Sequence, residues 1–434
     1  MNFTDIKIKI SQITRKSLFK DTSWMLIARL FNILVQAAYF VILARSLGTQ
    51  YYGSFVAVSA LASLVFPFVS LGSDDVLVKE VAVNRKVFPT YWGNTLLILL
   101  VNSIVITGCL LLLSKLVFPS ELSLLSIAFL LLADLLGLGL QEASNKAFRA
   151  MGLVDKAAQL VVLNTLGKLL AVLCLISLVN NFDSSGHANL DAWSALYLLS
   201  SLLVSLFALL TINKMATKPR LELARIKSDI TQGVYFSLGM SANNINNNID
   251  KTMLASMASL DVTGIYGSAY RFINIGEVPM VALFNASYPR FFQQGFLGWS
   301  SCLKFAKKLL PIILVYGALS FVGYQVFAPL VPKILGAEYQ NTIDTMRWLA
   351  PLPLISALQL LIANTLTGLG YQKIRSSIQV VSAVINVGLN IWLIPSFGLY
   401  GAIWATLASD SLRVINLGIA LVYLYNSREK HPKD

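Results

Sequence analysis

Apolar residues recur along this chain in twelve runs, roughly 22–44, 52–72, 91–113, 122–143, 157–179, 193–212, 231–257, 265–290, 309–331, 348–369, 376–396 and 399–425, separated by short polar and basic stretches. About 20 apolar residues in a helix suffice to cross about 30 Å of hydrocarbon, so the pattern predicts an all-α polytopic membrane protein of twelve spans. The seventh run departs from the rest. Within Gln232–Met257 (QGVYFSLGMSANNINNNIDKTMLASM), Asn243, Asn244, Asn246, Asn247, Asn248, Asp250 and Lys251 fill about half of a helix turning ~100° per residue. Ala242, Ile245, Ile249 and Met253 take the other half. A polar face at membrane depth is costly unless it lines a cavity or finds partners, so it points to a substrate pathway. The alternative is that the asparagines hold helices together.

Six runs precede this one and five follow, which predicts two six-helix halves, 1–212 and 230–434, joined by a basic linker at 213–229. Weak parallels support the division: Tyr52-Gly53-Ser54 with Pro67 in the next helix matches Tyr266-Gly267-Ser268 with Pro279. Six spans per half leave the repeats parallel, related by an axis along the membrane normal. Residues Ile6–Phe19 mix apolar residues with Lys7, Lys9, Arg15 and Lys16, as an interfacial helix or a basic tail would.

Composition narrows the class. Of 434 residues 56% are hydrophobic and 13% charged, and the mean hydropathy is +0.68, which excludes a soluble globular protein. The net charge of +13 does not indicate nucleic acid, because the basic residues sit in short loops. Alternate loops and the termini carry 25 Lys and Arg on one side against four (Arg45, Lys115, Lys333 and Arg347) on the other. Positive residues stay inside, so both termini are expected on the cytoplasmic side. Cys109, Cys174 and Cys302 are isolated, and the histidines are His187 and His431, so neither disulfides nor a metal site is expected. No cleaved signal peptide is read at the N-terminus.

Nine ionisable residues fall inside the spans: Arg29, Asp134, Lys168, Asp250, Lys251, Arg271, Glu277, Asp410 and Arg413. Each costs about 2.5–3.5 kcal/mol at a helix centre on insertion scales, so they are expected to pair or to serve a ligand. Asp410 and Arg413, three apart, are expected to pair directly. Asp134 and Lys168 lie near mid-depth on consecutive helices, where a structural ion pair and a ligand role are both open. Arg29 has no acid at its depth on its own or the next helix, which makes it a candidate for an anionic ligand. Prolines and glycines in the spans suit helices that bend. No nucleophile elbow, phosphate loop or zinc-binding helix occurs, so no catalytic residue is assigned.

Three stretches resemble a known family: VILARSLGTQYYGSF (Val41–Phe55), ILGAEYQNTIDTMRWLAP (Ile334–Pro351) and VINVGLNIWLIPSFGLYGAIWATLAS (Val384–Ser409). They are similar to the polysaccharide-biosynthesis flippases, the O-antigen and exopolysaccharide members of the multidrug/oligosaccharidyl-lipid/polysaccharide exporter superfamily. The resemblance implies two six-helix bundles around a central hydrophilic cavity that opens alternately to either side. It implies a polyprenyl-diphosphate-linked oligosaccharide as substrate, basic residues for the diphosphate, no cofactor, and coupling to a proton or sodium gradient. Arg29, Lys168, Asn243, Asn247, Asp250, Lys251 and Arg271 are the candidate cavity residues, and Asp134 and Glu277 the candidates for ion coupling. The cavity is expected between the first, second, seventh and eighth spans, with membrane lipids and polysaccharide assembly proteins as partners. An ion-coupled multidrug or metabolite antiporter is the nearest rival, kept by Asp134, Asp250 and Glu277. A membrane-embedded glycan polymerase is opposed by the short external loops, and a scaffold without transport activity by the number of polar groups in the helices. Reporter fusions test the topology. Fusions after residues 186, 262 and 398 should report outside, those after 88, 220, 300 and 373 inside, and an outside signal at 220 would break the two-half arrangement.

Overall fold

The computed structural model describes residues 3–119, 122–179, 186–215 and 218–430, with side chains from residue 32 onward except at 179, 186–188, 235 and 428–430. The described residues are helical almost throughout and contain no strand. The first half comprises α1 (Phe3–Val65), α2 (Pro67–Ser70), α3 (Ser73–Val83), α4 (Phe88–Val117), α5 (Leu124–Leu132), α6 (Gly139–Ala150), α7 (Val154–Val179) and α8 (Gly186–Met215). The second comprises α9 (Leu223–Met257), α10 (Leu260–Phe296), α11 (Trp299–Phe327), α12 (Val331–Leu335), α13 (Thr342–Leu349), α14 (Leu352–Gly368) and α15 (Gln372–Lys430). Residues 6–19, expected as an interfacial helix or a basic tail, are the start of α1, which runs from Phe3 to a kink at Gly48.

Eight helical segments among the described residues are long and apolar enough to cross a membrane, where the sequence pattern predicts twelve. The difference has two causes. The segments 32–65 and 372–427 each contain two of the expected spans, parted by a kink at Gly48 (φ 68°) or Gly398 (φ 55°), a left-handed backbone that glycine adopts without a Cβ clash. The helices α9 and α10 are long enough but too polar.

The kink at Gly48 lies at one end of the bundle, where the largest hydrophobic core joins the two halves. Leu43, Leu47 and Tyr52 pack there with Leu260, Tyr266, Tyr339, Leu349 and Ile403. The backbones touch: a Cβ on Gly53 would stand 1.8 Å from Leu260 O, and one on Gly264 2.0 Å from Thr49 O. Polar groups finish this end. Thr49 Oγ1 donates to Asp261 Oδ1 at 2.7 Å, Thr49 N to Glu338 Oε2 at 3.3 Å, Arg45 Nη2 to Lys333 O at 3.0 Å, and Tyr339 OH to Ala44 O at 2.9 Å. The opposite end carries most of the Lys and Arg residues, and there α9 lies along the first half. Gly72 and Gly233 meet backbone to backbone, with 2.2 Å between a Gly72 Cβ and Gly233 O.

Proline explains how α9 is held. Pro67 has no N–H, so Ser63 O loses the donor that a continuous helix would supply four residues on. Asn244 Nδ2 donates to that carbonyl at 2.8 Å. Ser241 Oγ donates to Leu64 O at 2.7 Å and Ser237 Oγ to Pro67 O at 2.8 Å. Part of the polar face of α9 therefore does join helices. A similar economy governs α5 and α6, which are linked by a π-helical turn at Ala133–Leu138. Serine hydroxyls from neighbouring helices reach its carbonyls while sharing their proton with their own helix: Ser205 Oγ is 2.8 Å from Gly137 O and 2.7 Å from Ser201 O, and Ser103 Oγ is 3.4 Å from Leu135 O and 2.6 Å from Leu99 O.

A double-mutant cycle checks the proline argument. Ser63 O is part-buried at the cavity wall, so losing its donor costs less than the about 1–3 kcal/mol of a fully buried group in soluble proteins, and membrane bundles average about 0.6 kcal/mol per interhelical hydrogen bond. Asn244→Ala should therefore lower the melting temperature of the purified protein by a few degrees. In a Pro67→Ala background, where residue 67 regains its N–H, the same change should have a clearly smaller effect.

Candidate functional site

A cavity of about 870 Å³ lies between the two halves. Along α10 its wall runs from Gly267 to Val281, about 21 Å at 1.5 Å per residue. Its walls extend beyond the four expected spans, because Asp134, Leu138, Lys168 and Tyr197 of the first half also face it, as do Ser356, Gln359, Asp410 and Arg413 of the second. The Gly48 end is sealed by the core and hydrogen bonds described above.

Most of the candidate residues converge here. Lys168, Asn243, Asn247, Lys251, Arg271, Asp134 and Glu277 all line the cavity. Asp250 does not. It is 1% exposed and points into the second half, where its Oδ2 accepts from Tyr266 OH at 2.5 Å and from Thr406 Oγ1 at 3.4 Å. Asn246 turns the same way, and its carboxamide oxygen accepts from Arg413 Nη1 at 2.8 Å. The polar half of α9 thus serves two surfaces, Asn243, Asn247, Asn248 and Lys251 on the cavity and Asn246 and Asp250 in the protein interior. Arg29 lies on α1, with its side chain outside the described residues.

The cations differ in how firmly they are held. Arg413 Nη2 donates to Asp410 Oδ1 at 2.7 Å, the pair expected from their spacing, and both also face the cavity. Lys251 Nζ donates to Asn247 O at 2.6 Å and Asn248 Oδ1 at 3.2 Å, stands 3.5 Å from Asp250 Oδ1, and lies 4.3 Å from the centre of the Tyr270 ring. Lys168 makes a cation–π contact, 5.1 Å from the Tyr197 ring centre, and lies near enough to Asp134 for the two charges to attract without a direct ion pair. Arg271 has no hydrogen-bond or ion-pair partner among the described residues, and it is near enough to Lys168 for the two charges to repel. Lys168 comes from the first half and Arg271 from the second.

The acids are partly satisfied. Asp134, 7% exposed, accepts from Tyr197 OH at 2.6 Å through Oδ1, while Oδ2 has no partner and the unpaired Ser59 hydroxyl is close by. No direct ion pair forms between Asp134 and Lys168, since both turn to Tyr197. Glu277 Oε1 accepts from Ser356 Oγ at 2.6 Å. The tyrosines Tyr39, Tyr52, Tyr197 and Tyr270 and the amides Asn274 and Gln359 complete the polar lining. The search for charges and for a polar run passed over these uncharged side chains, which lie among apolar residues on α1, α8 and α14 and beside the charged residues of α10. Among the described residues no cluster of three or more His, Cys, Asp or Glu is placed to hold a metal ion.

A family model described as polysaccharide biosynthesis protein matches residues 18–294. Comparison with curated protein sequences returns no match. Among solved structures, the chain is similar to a multidrug resistance MATE family transporter of the MOP superfamily in an inward-facing conformation. That likeness has a TM-score of 0.76 at 15% identity over 92% of this chain and 96% of the other. It is similar to the lipid II flippase MurJ in an inward closed conformation, with a TM-score of 0.74 at 13% identity over 91% and 86%. An outward-facing MATE transporter gives 0.58 at 17% identity over 93% and 95%. The chain therefore has the MOP-superfamily transporter fold.

The two faces of α9 predict a labelling pattern. Single cysteines at 243 and 247 should react with a membrane-impermeant thiol reagent in purified protein, and those at 246 and 250 should stay protected. Equal labelling of all four would show that α9 does not divide its polar residues in this way.

Proposed function

The chain belongs to the polysaccharide biosynthesis protein family, and from that premise we propose that it is a flippase moving a polyprenyl-diphosphate-linked oligosaccharide across the cytoplasmic membrane, for O-antigen or exopolysaccharide assembly. One observation carries this reading. Lys168 and Arg271, one from each half, face a closed-ended cavity; neither makes an ion pair among the described residues, and while Asp134 lies near enough to attract Lys168, Arg271 has no partner there. An uncompensated cation in such a place is costly unless an anion or water joins it. A diphosphate offers oxygens that the guanidinium fork can take in bidentate fashion, with lysine as a point charge beside it. Arg29 of the first helix is the further cation proposed for the diphosphate.

Binding would relieve the repulsion between Lys168 and Arg271 and bridge the halves, which gives the ligand a differential hold on the form in which both approach it. The amides Asn243, Asn247, Asn274 and Gln359 supply hydrogen bonds suited to sugar hydroxyls. Transport proceeds by alternating access, with twelve passes, both termini cytoplasmic and no covalent chemistry. Asp134, with one free carboxylate oxygen, and Glu277 are the groups proposed to couple the cycle to a proton or sodium gradient. Membrane lipids and polysaccharide assembly proteins are the partners of this reading. The same two acids support a second one, an antiporter of organic cations.

Ligand binding separates the readings. A short-chain polyprenyl diphosphate should raise the melting temperature of the purified protein, and tetraphenylphosphonium should not. A charged hydrogen bond is worth about 1.5–3 kcal/mol, so Arg271→Ala should weaken diphosphate binding about ten- to a hundredfold. In cells it should abolish surface polysaccharide without lowering the amount of protein, and Arg271→Lys should keep part of the activity. Stabilisation by the phosphonium alone would overturn the flippase reading in favour of the antiporter.

A further inference from the structure

The linker between the halves is fastened to one of them. Arg220 N donates to Pro89 O at 2.9 Å. The Asn94 side chain, 0% exposed, accepts from Glu222 N at 3.0 Å and donates to Glu222 O at 3.2 Å and Asp229 Oδ2 at 3.1 Å. From there α9 stays on the first half. Lys79 Nζ donates to Gln232 Oε1 at 3.4 Å, the Gly72–Gly233 contact follows, and then the ladder from Ser237, Ser241 and Asn244 to the carbonyls around Pro67. Two residues later the allegiance changes. Asn246 bonds into the Asp410–Arg413 pair and Asp250 into Tyr266 and Thr406, all in the second half.

We propose that the moving boundary of this protein lies inside α9, between Asn244 and Asn246, and that the seam from Arg220 to Asn244 is a hinge that stays closed throughout the transport cycle. The inference rests on the alternating-access reading. In that reading this structure is the form sealed at the Gly48 end, and the other form must part that seal and close the basic end. A contact already made at the basic end has no reason to part when that end closes. The chemistry of the two contacts agrees. The polar members of the Gly48 seal include Arg45, Asp261 and Glu338, which are exposed and can exchange protein partners for water. The hydroxyls of Ser237 and Ser241 are bonded to backbone carbonyls in the protein interior, and Ser63 O has no backbone donor to fall back on because residue 67 is proline.

Cross-linking in cells that display the polysaccharide tests the proposal, with Cys109, Cys174 and Cys302 replaced. Lys79→Cys with Gln232→Cys spans the seam, and Thr49→Cys with Asp261→Cys spans the seal. The seam pair should cross-link readily and keep surface polysaccharide at the level of the reduced protein. The seal pair should abolish it until a reductant is added. Loss of display on cross-linking the seam, restored by reduction, or failure of the seam pair to cross-link, would overturn the hinge. Undiminished display with the seal locked would instead overturn alternating access and leave the seam result standing. A second seam pair, Pro89→Cys with Arg220→Cys, whose backbones are joined by a hydrogen bond away from the cavity, decides the matter if the charge of Lys79 proves necessary for activity.

Discussion

The carbonyl of Ser63, stripped of its helical donor by Pro67, is the constraint on which the interface between the halves depends. The carbonyl is part-buried at the wall of the cavity, which Ser63 and Asn244 both line, and a donor on the neighbouring helix fixes it in place. Asn244 supplies that donor, and the serines one and two turns earlier on α9 supply the neighbouring carbonyls. An isolated proline kink and an isolated asparagine would each be a defect in a membrane-length helix. Facing each other, they hold α9 in register with α1 and so set which α9 residues reach the cavity.

That register sorts the charges. Lys251 and Arg413 are neutralised within their own half by carbonyl, amide and carboxylate oxygens. Lys168 and Arg271, from opposite halves, keep their charge directed at the cavity. The difference matters more than the near balance of basic and acidic residues, because a cation already coordinated adds little to ligand binding while an unpaired one is stabilised by any anion that reaches it. The Tyr197 side chain links the two kinds of group at this corner, donating to Asp134 and offering its ring to Lys168. The π turn carrying Asp134 lies against Ser103 and Ser205, whose hydroxyl protons are shared between its carbonyls and those of their own helices.

Length and hydropathy were enough to establish the membrane helices, and the run of asparagines was enough to single out α9. The Asp410–Arg413 pair was legible too, since a spacing of three on a helix brings side chains together whatever surrounds them. The number of spans was less so: the apolar runs predict twelve, while eight helical segments among the described residues are long and apolar enough to cross a membrane, two of them holding two runs each on either side of a glycine kink, with α9 and α10 too polar to count.

What the sequence by itself determined is local: which residues are helical, where the helices break, and which side chains share a face. It placed Asn243, Asn247 and Asp250 on one polar arc of α9, and that arc is real. Only the tertiary structure decided that Asn243 and Asn247 meet the cavity while Asp250 is buried against Tyr266 and Thr406, and that Lys168 and Arg271 approach each other from different halves. The physical reason is that a helical period of ~100° per residue gives the angle between side chains but says nothing of what lies beyond each of them. An Asp opposite a Tyr and a Lys opposite open space look alike until the neighbouring helices are in place.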